Sequence, residues 1–236
     1  QSTQRDYDGR DTYHAAFRYS PLNKKYGADG DFAPIENVYL QGKTPSPLWM
    51  LDNSDINDRY KGIDGNLYLT VDIIDGLKFT SRVSAEWTNQ YTSNFIGAMN
   101  PVYKMEGSNV NKITKTNRET FHWITDFLLD YQKTFKEVHA VNALLGYSLE
   151  KQTYEDLSCS RGDTPSNDIH YLDAGDPGTA LNSNSFTDWS FVSMFGRAGY
   201  SYKDKYYLSG TIRRDGTSRL VKNKHGVFHS VSAAWR

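Results

Sequence analysis

Residues 67–87, LYLTVDIIDGLKFTSRVSAEW, decide the fold. Within residues 77–87 every odd position except Ser81 is apolar, and every even position is polar. Residues 67–73 alternate in the same way, and Asp75-Gly76 between the two segments is a strong signal for a tight hairpin turn. Because successive side chains of a strand point to opposite faces, this stretch predicts an antiparallel hairpin with one apolar and one polar face.

Similar segments recur along the chain. Six more are predicted to be strands, which makes about eight in all: residues 13–19, 119–131, 138–149, 189–202, 206–213 and 227–235. Tight turns are expected at Thr134-Phe135-Lys136 and at Lys203-Asp204-Lys205. Residues 189–202 carry large side chains on both faces, so the orientation of that strand stays open.

The connections between these segments alternate in length. The turns have about three residues, whereas residues 20–62, 88–118 and 151–188 form much longer connections. Long structureless loops are uncommon inside compact domains, but transmembrane β-barrels combine short periplasmic turns with long extracellular loops. The chain is therefore predicted to be all-β, an antiparallel up-and-down segment of a transmembrane β-barrel with long extracellular loops.

Aromatic residues at both ends of the predicted strands favour this membrane interpretation. Two girdles at the lipid interfaces are expected: Trp87, Phe121, Trp123 and Trp189 at one rim, and Tyr131, Tyr200, Tyr202 and Tyr206 at the other. The apolar face of the first hairpin contains no charge, since Asp72, Lys78, Arg82 and Glu86 fall on the opposite face. A soluble extracellular β-domain with long loops is the alternative architecture.

Composition excludes several classes of protein. The net charge is −1 and the basic residues are scattered, which argues against a nucleic-acid partner. Cys159 is the single cysteine, so no internal disulfide can form. No run approaches the roughly 18 apolar residues of a membrane helix. The first residues do not form a signal peptide, so an exported protein would have its signal outside this sequence.

One long motif and three shorter ones resemble the barrel of SusC/RagA-type TonB-dependent transporters. The longest is FGRAGYSYKDKY at residues 195–206, which continues through RRDGTSR at 213–219 to HSVSAAWR at 229–236. Shorter matches are Tyr19-Ser20-Pro21, Pro47-Leu48 and HAVNALLGY at residues 139–147. The resemblance covers nearly the whole chain and is weakest in the loops.

The resemblance implies an outer-membrane barrel of about 22 strands that encloses an N-terminal plug. Residues 1–236 are then expected to be part of one barrel domain, because the plug, the TonB-binding motif and the closing strands have no counterpart in them. It further implies uptake of an oligosaccharide, or in some members a peptide. The implied partners are a SusD-like surface lipoprotein, TonB through the N-terminal region that this sequence lacks, and outer-membrane lipid.

Candidate ligand contacts are polar-face charges and loop aromatics, because flat rings stack on sugar faces: Tyr39, Trp49, Asp72, Arg82, Glu86 and Arg197. A second group is expected to order the rim beyond the seventh strand, with Asp215-Gly216 as its turn: Arg213, Arg214, Asp215 and Arg219. The histidines show no metal-ligand spacing, and neither a cofactor nor catalysis is expected.

Two other functions stay open at this point. A passive structural or adhesive surface β-protein would share the alternation but would need neither a plug nor a TonB motif. A soluble glycan-active enzyme would need a carboxylate pair in a cleft, for which Asp126 and Asp130 are the candidates.

Overall fold

The protein is an antiparallel β-sheet whose strands follow one another in chain order. The computed structural model describes residues 2–5, 9–28, 30, 33, 46–98 and 110–236. Eight strands form one sheet in the order β1 to β8: β1 (Ser2–Arg5), β2 (Ser54–Ile74), β3 (Leu77–Ile96), β4 (Lys112–Phe135), β5 (His139–Gly162), β6 (Leu181–Tyr202), β7 (Tyr206–Thr217) and β8 (His225–Trp235). The all-β, up-and-down prediction is confirmed.

Two compact units divide the chain. The first comprises residues 1–61, 89–119 and 156–185, and the second comprises residues 62–88, 120–155 and 186–236. The first contains α1 (Gly9–Arg18), α2 (Pro47–Asp52) and two 3-10 helices, Leu172–Ala174 and Pro177–Thr179. In the described part of the chain, no helix has the length and apolar character needed to cross a membrane.

Three short turns in the second unit connect β2 to β3, β4 to β5, and β6 to β7. Gly76 has a φ of 81°, a left-handed conformation that suits glycine. The two central residues of each other turn, Lys136-Glu137 and Lys203-Asp204, also have positive φ, as in the type I′ turns that match the strand twist. The turn predicted at Thr134-Phe135-Lys136 thus lies about two residues later, and the one at Lys203-Asp204-Lys205 lies where expected.

The pairing of β6 with β7 orients the strand that the sequence left open. Tyr202 pairs with Tyr206, Gly196 with Ile212 and Met194 with Arg214. The apolar face therefore includes these residues, and the polar face includes those between them: Ser193, Phe195, Arg197, Thr211, Arg213 and Asp215. β8 continues both faces, with Val227 opposite Arg214.

Phe195 explains why both faces of β6 carry large side chains. It lies on the polar face, where a Cβ atom added at Gly146 of β5 would overlap its ring. The glycine thus leaves a space that the ring from the neighbouring strand fills, an arrangement that compensates for the missing side chain. A bulky residue on a polar face is therefore accommodated by packing along the sheet.

The strands are longer than the alternation predicted. β2 to β6 have 20 to 24 residues each, whereas about 9 to 11 residues cross a membrane. Two of the predicted connections shrink accordingly, residues 88–118 to 97–111 and residues 151–188 to 163–180. Period-two hydrophobicity marks only the part of a strand whose two faces meet different surroundings, so backbone pairing continues where the sequence signal ends.

The prediction of a strand at residues 13–19 is wrong, because residues 13–18 belong to α1. Tyr13 and Phe17 are four residues apart, and their rings lie 4.7 Å apart, the contact that helical spacing produces. Ala15 is buried, with 6% of its surface exposed. The aromatic residues at alternating positions also fit an i, i+4 pattern, and a segment this short does not distinguish the two periods.

Candidate functional site on the polar face

One polar cluster in the second unit, the His122 cluster, joins a histidine, a carboxylate, an indole and a guanidinium. His122 Nε2 lies 2.8 Å from Glu150 Oε1, and the ring centroids of His122 and Trp189 are 6.1 Å apart. The Arg219 guanidinium lies 4.5 Å from the centre of the Trp189 ring, within the range of a cation–π interaction. In this cluster an indole ring that Arg219 covers on one face lies beside a hydrogen-bonded histidine and carboxylate.

Trp189 therefore does not belong to the lipid-interface girdle predicted for it. It shares its face with the odd-numbered residues of β6 that form the polar face. His122 and Glu150 occupy polar positions of their own strands, which the sequence could have indicated. Their pairing could not be predicted, because the sequence does not give the register between β4 and β5.

A small cavity of about 230 Å³ adjoins this cluster. Its polar lining comes from β2, β3 and β4: Asp64, Asn66, Ser84, Glu86 and His122. The lining offers carboxylate, amide, hydroxyl and imidazole groups, which can accept and donate hydrogen bonds to a ligand rich in hydroxyl or amide groups. Of the predicted ligand contacts among the described residues, Glu86 lines this polar cavity, whereas Arg197 lines a separate and mainly apolar one.

The second cluster, the Arg213 cluster, is a hydrogen-bonded network on the polar face of β6 and β7. Arg213 Nε lies 2.8 and 2.9 Å from the two carboxylate oxygens of Asp215. Ser193 Oγ donates to Asp215 Oδ1 at 2.7 Å and accepts from Arg213 Nη2 at 3.1 Å. Ser193 is 1% exposed, so its hydroxyl is buried with both roles satisfied.

The structure brings together only part of the predicted rim group. Arg213 and Asp215 interact directly, whereas Arg214 falls on the apolar face opposite Met194, and Arg219 lies over Trp189. The predicted Asp215-Gly216 turn is instead part of β7, which runs to Thr217. Alternation explains the split, because consecutive strand residues cannot share a face.

The remaining predicted polar contacts lie apart from each other. Asp72 is largely exposed and faces Lys78 across the first hairpin at 3.9 Å. Arg82 is exposed on β3, and Arg197 is exposed on the polar face opposite Thr211. These side chains line one face of the sheet without forming a common pocket in the described part of the chain.

Of the two loop aromatics proposed as ligand contacts, Tyr39 lies outside the described residues. Trp49 is in α2 and is 7% exposed, so its ring faces are covered by packing. Ser46 caps this helix by accepting a hydrogen bond from the Trp49 backbone N–H, as its position before Pro47 favours.

The loop after β5 is held in place by buried amide groups in the first unit. Asn111 is 3% exposed, and its side chain accepts from Thr164 N at 2.7 Å and donates to Thr164 O at 3.1 Å. Asn167 accepts from Ala98 N at 3.0 Å and donates to Asn53 Oδ1. These bonds fix residues 163–180, which the sequence suggested only as an irregular loop.

His170 adds a second anchor to the same loop. Its Nδ1 lies 3.3 Å from Asp55 Oδ2 and its Nε2 lies 2.8 Å from Asn167 O. The ring stacks on Phe95 with a centroid separation of 3.9 Å. Residues 163–180 are therefore anchored at His170 by an ion pair, a hydrogen bond and a ring contact.

The carboxylate pair considered for hydrolysis has an unsuitable geometry. Asp126 and Asp130 are four residues apart on β4, a separation of about 13 Å along a strand, whereas glycosidase pairs lie roughly 5 to 9.5 Å apart. Asp126 also accepts a hydrogen bond from Ser148 at 2.7 Å. Among the described residues, no group of His, Cys, Asp and Glu side chains could hold a metal ion.

Comparisons with known proteins give consistent relatives, although no protein-family model matches the chain. TonB-dependent receptor P3 of Formosa agariphila is 28% identical over 231 residues, which cover 96% of this chain and 22% of that protein. TonB-dependent receptor P26 of the same organism is 28% identical over 230 residues, covering 95% and 23%. TonB-dependent receptor SusC of Bacteroides thetaiotaomicron is 42% identical over 48 residues, covering 20% of this chain and 5% of that protein.

Among solved structures, the chain is similar to a chain of the RagAB peptide transporter. The TM-score is 0.76 at 18% identity, and the match covers 89% of this chain and 24% of that chain. At this identity the similarity concerns the fold. The chain spans about a quarter or less of the length of these relatives. The resemblance to SusC/RagA-type TonB-dependent transporters and the outer-membrane location that it implies are confirmed.

Proposed function

We propose that this chain is a segment of a TonB-dependent barrel that imports an oligomeric nutrient across the outer membrane, together with a SusD-like surface lipoprotein. The relatives are receptors or transporters rather than enzymes. The similarity of the chain to these relatives supports nutrient uptake. The main observation behind the proposal is that the alignment with one TonB-dependent receptor covers 96% of the chain.

The two faces of the sheet support this function physically. The apolar face exposes large side chains, among them Leu208, Ile212 and Val231. Exposed apolar surface of this extent is unfavourable in water and favourable in lipid. The opposite face carries the His122 and Arg213 clusters, so it suits an aqueous lumen. A passive surface protein needs no such lumen.

An oligosaccharide is the proposed substrate class, with a peptide as the second candidate. The cavity beside His122 is lined by hydrogen-bonding groups, and the Trp189 ring lies on the neighbouring side of the same histidine. Polar groups with an aromatic ring nearby suit a sugar. A peptide remains a candidate because the RagAB relative is a peptide transporter.

The uptake proposal is tested with the full-length gene. Outer membranes of native cells are extracted in mild detergent, the proteins that co-purify are identified, and a deletion strain is assayed for growth on oligosaccharides and on peptides. Co-purification of a surface lipoprotein and a growth defect on one class support the proposal. Normal growth on every substrate with no bound lipoprotein contradicts it.

Variants in the polar cavity distinguish the residues involved. Glu86→Gln, made together with His122→Gln, is expected to lower uptake at limiting substrate about tenfold, because two hydrogen-bonding groups are altered. Asp75→Asn is the matched control, since Asp75 lies in the β2–β3 turn, is exposed and forms only a 3.3 Å ion pair with Lys133. Equal uptake by all variants would exclude the cavity as a substrate contact.

A further inference from the structure

An apolar groove on the second unit crosses the apolar faces of several strands. Its volume is about 600 Å³. Leu145, Met194, Ile212 and Val227 are among the side chains that line it, and each is between 55% and 60% exposed. Gly196 forms part of the floor, since a Cβ there would lie 3.3 Å from a Leu145 methyl group. The groove is therefore open, it crosses several strands, and no side chain rises from its floor at Gly196.

One cation lies in the lining of this groove. Arg214 is exposed, and the pairing of β7 puts it between Met194 and Val227 on the apolar face. Within the described residues, no carboxylate forms an ion pair with it. An arginine on a lipid-facing surface costs roughly 3 to 7 times the thermal energy near the bilayer centre and much less near an interface. Arg214 therefore needs either an anionic partner or a position near the membrane interface.

The depth of Arg214 follows from the strand geometry. Arg214 is eight residues beyond Tyr206, the aromatic residue at the turn end of β7. Eight residues span about 26 Å along a strand, or about 20 Å across a membrane at the usual barrel tilt, against an apolar band about 25 Å tall. The guanidinium can therefore reach the lipid headgroups at the long-loop rim, which is extracellular in such barrels.

We propose that this groove binds an acyl chain of a phosphate-bearing lipid of the outer leaflet, and that Arg214 binds its phosphate. Arginine matches phosphate through bidentate hydrogen bonds, and an apolar groove next to it accommodates a hydrocarbon chain. The inference rests on the membrane location within the proposed function, but it does not depend on which nutrient is imported.

A lipid fits these observations better than a protein partner does. The groove lies between strands whose apolar side chains would face hydrocarbon, where every polar group of a docking polypeptide would need an internal hydrogen-bond partner. The single cation at one end matches a molecule with one anionic group and a long apolar part. The site therefore distinguishes phosphorylated from neutral lipids.

The experiment uses the full-length protein purified in detergent. It is titrated with monophosphoryl lipid A and with the same lipid after removal of the phosphate, and bound lipid is counted by native mass spectrometry. We expect the phosphorylated lipid to bind about tenfold more tightly, and Arg214→Gln to abolish that preference. Lys222→Gln is the control, because Lys222 is an exposed basic residue outside the groove.

A second variant tests the groove itself. Gly196→Leu fills the floor and should weaken binding of both lipids by a similar factor, and folding is checked by the heat-dependent gel mobility of the barrel. If this variant does not fold, the lipid preference of Arg214→Gln still tests the proposal. Equal binding of the two lipids by the unmodified protein, or an unchanged preference in Arg214→Gln, would overturn the proposal.

Two further readouts separate the possible failures. Displacement of the lipid by millimolar inorganic phosphate alone would mean that Arg214 binds free anions, which overturns the lipid assignment. Nutrient uptake is measured in the same variants. Loss of lipid preference with normal uptake supports the lipid site separately from transport, whereas recovery of the full-length protein as a soluble species would remove the basis of both proposals.

Discussion

Phe195 of β6 occupies the space above Gly146 of β5 that a side chain at that position would fill. The same ring lies beneath the Arg213 guanidinium, which is 5.8 Å from its centre. Gly146, Phe195 and Arg213 thus form a layered contact across three neighbouring strands. This contact joins Gly146, which lies within β5 and not in a turn, to the Arg213 cluster.

Gly146→Ala is expected to lower the free energy of unfolding by about 1 to 3 kcal/mol, because the added methyl group overlaps the Phe195 ring and overpacks the contact. Gly210→Ala is the matched control, since a Cβ there comes no closer than 3.9 Å to any neighbour. Its effect should stay within about 0.5 kcal/mol. Urea unfolding of the full-length protein in lipid vesicles measures both, and equal effects would refute the packing argument.

Asp215→Asn is expected to cost about 1 to 2 kcal/mol, because it removes the charge that holds Arg213 through two hydrogen bonds. The comparison is Asp188→Asn, which breaks the exposed ion pair with Lys151 at 3.3 Å and should cost less than about 0.5 kcal/mol. Unfolding free energies in the same vesicles provide the test. A larger loss for Asp188→Asn would contradict the assigned importance of the Arg213 cluster.

Substitutions in the β6–β7 turn are expected to increase the stability of the protein. Lys203 and Asp204 have φ values of 52° and 50°, which cost little for asparagine and glycine. Relief of the left-handed strain, about 1 to 2 kcal/mol per residue, should exceed the entropy of about 0.5 to 1 kcal/mol that the new glycine gives the unfolded chain. Replacing the two residues with Asn and Gly should therefore stabilise the protein by about 0.5 to 1 kcal/mol. Unfolding of the double variant is compared with that of Lys205→Asn, a change beside the turn's two central residues. Destabilisation by the double variant would show that the turn is not type I′.

Asn111→Ala is expected to loosen residues 163–180 without unfolding the sheet. The substitution leaves the backbone N–H and carbonyl of Thr164 without their side-chain partner, at a cost of about 1 to 3 kcal/mol. Hydrogen exchange of that loop should accelerate at least tenfold, while β7 and β8 remain protected. Asn182→Ala, at an exposed position of β6, is the control. Unchanged loop exchange in Asn111→Ala would contradict this anchoring role.

The sequence predicted the hairpins because their faces meet different surroundings, as Leu208 and Ser209 illustrate in β7. It could not orient β6, since the contact between Phe195 and Gly146 is set by the neighbouring strand. It grouped Arg213 with Arg214, although alternation separates them onto opposite faces. The amide contacts of Asn111 are non-local and leave no periodic signal, so they were not predicted.

The prediction of a strand at residues 13–19 was wrong for a different reason. Seven residues fit both a strand and a helix period, and only tertiary packing distinguishes them. The candidate site shows the same limit. Glu86 was predicted as a polar-face residue, but its cavity with His122 depends on strand register. Local chemistry was therefore predictable, whereas cross-strand partnerships were not.

The most direct test of a lipid-facing barrel is to measure the environment of consecutive residues of β7 in the outer membrane. Single spin labels are introduced at positions 206 to 213 of the full-length protein, with Cys159 replaced by alanine, and collision rates with oxygen and with a water-soluble nickel complex are measured. If the apolar face lies in lipid, oxygen accessibility is high and nickel accessibility low at Leu208 and Ile212, and the reverse holds at Ser209 and Thr211. Low accessibility to both reagents at Leu208 and Ile212 would mean that the apolar face is buried in protein, and would contradict a lipid-facing barrel.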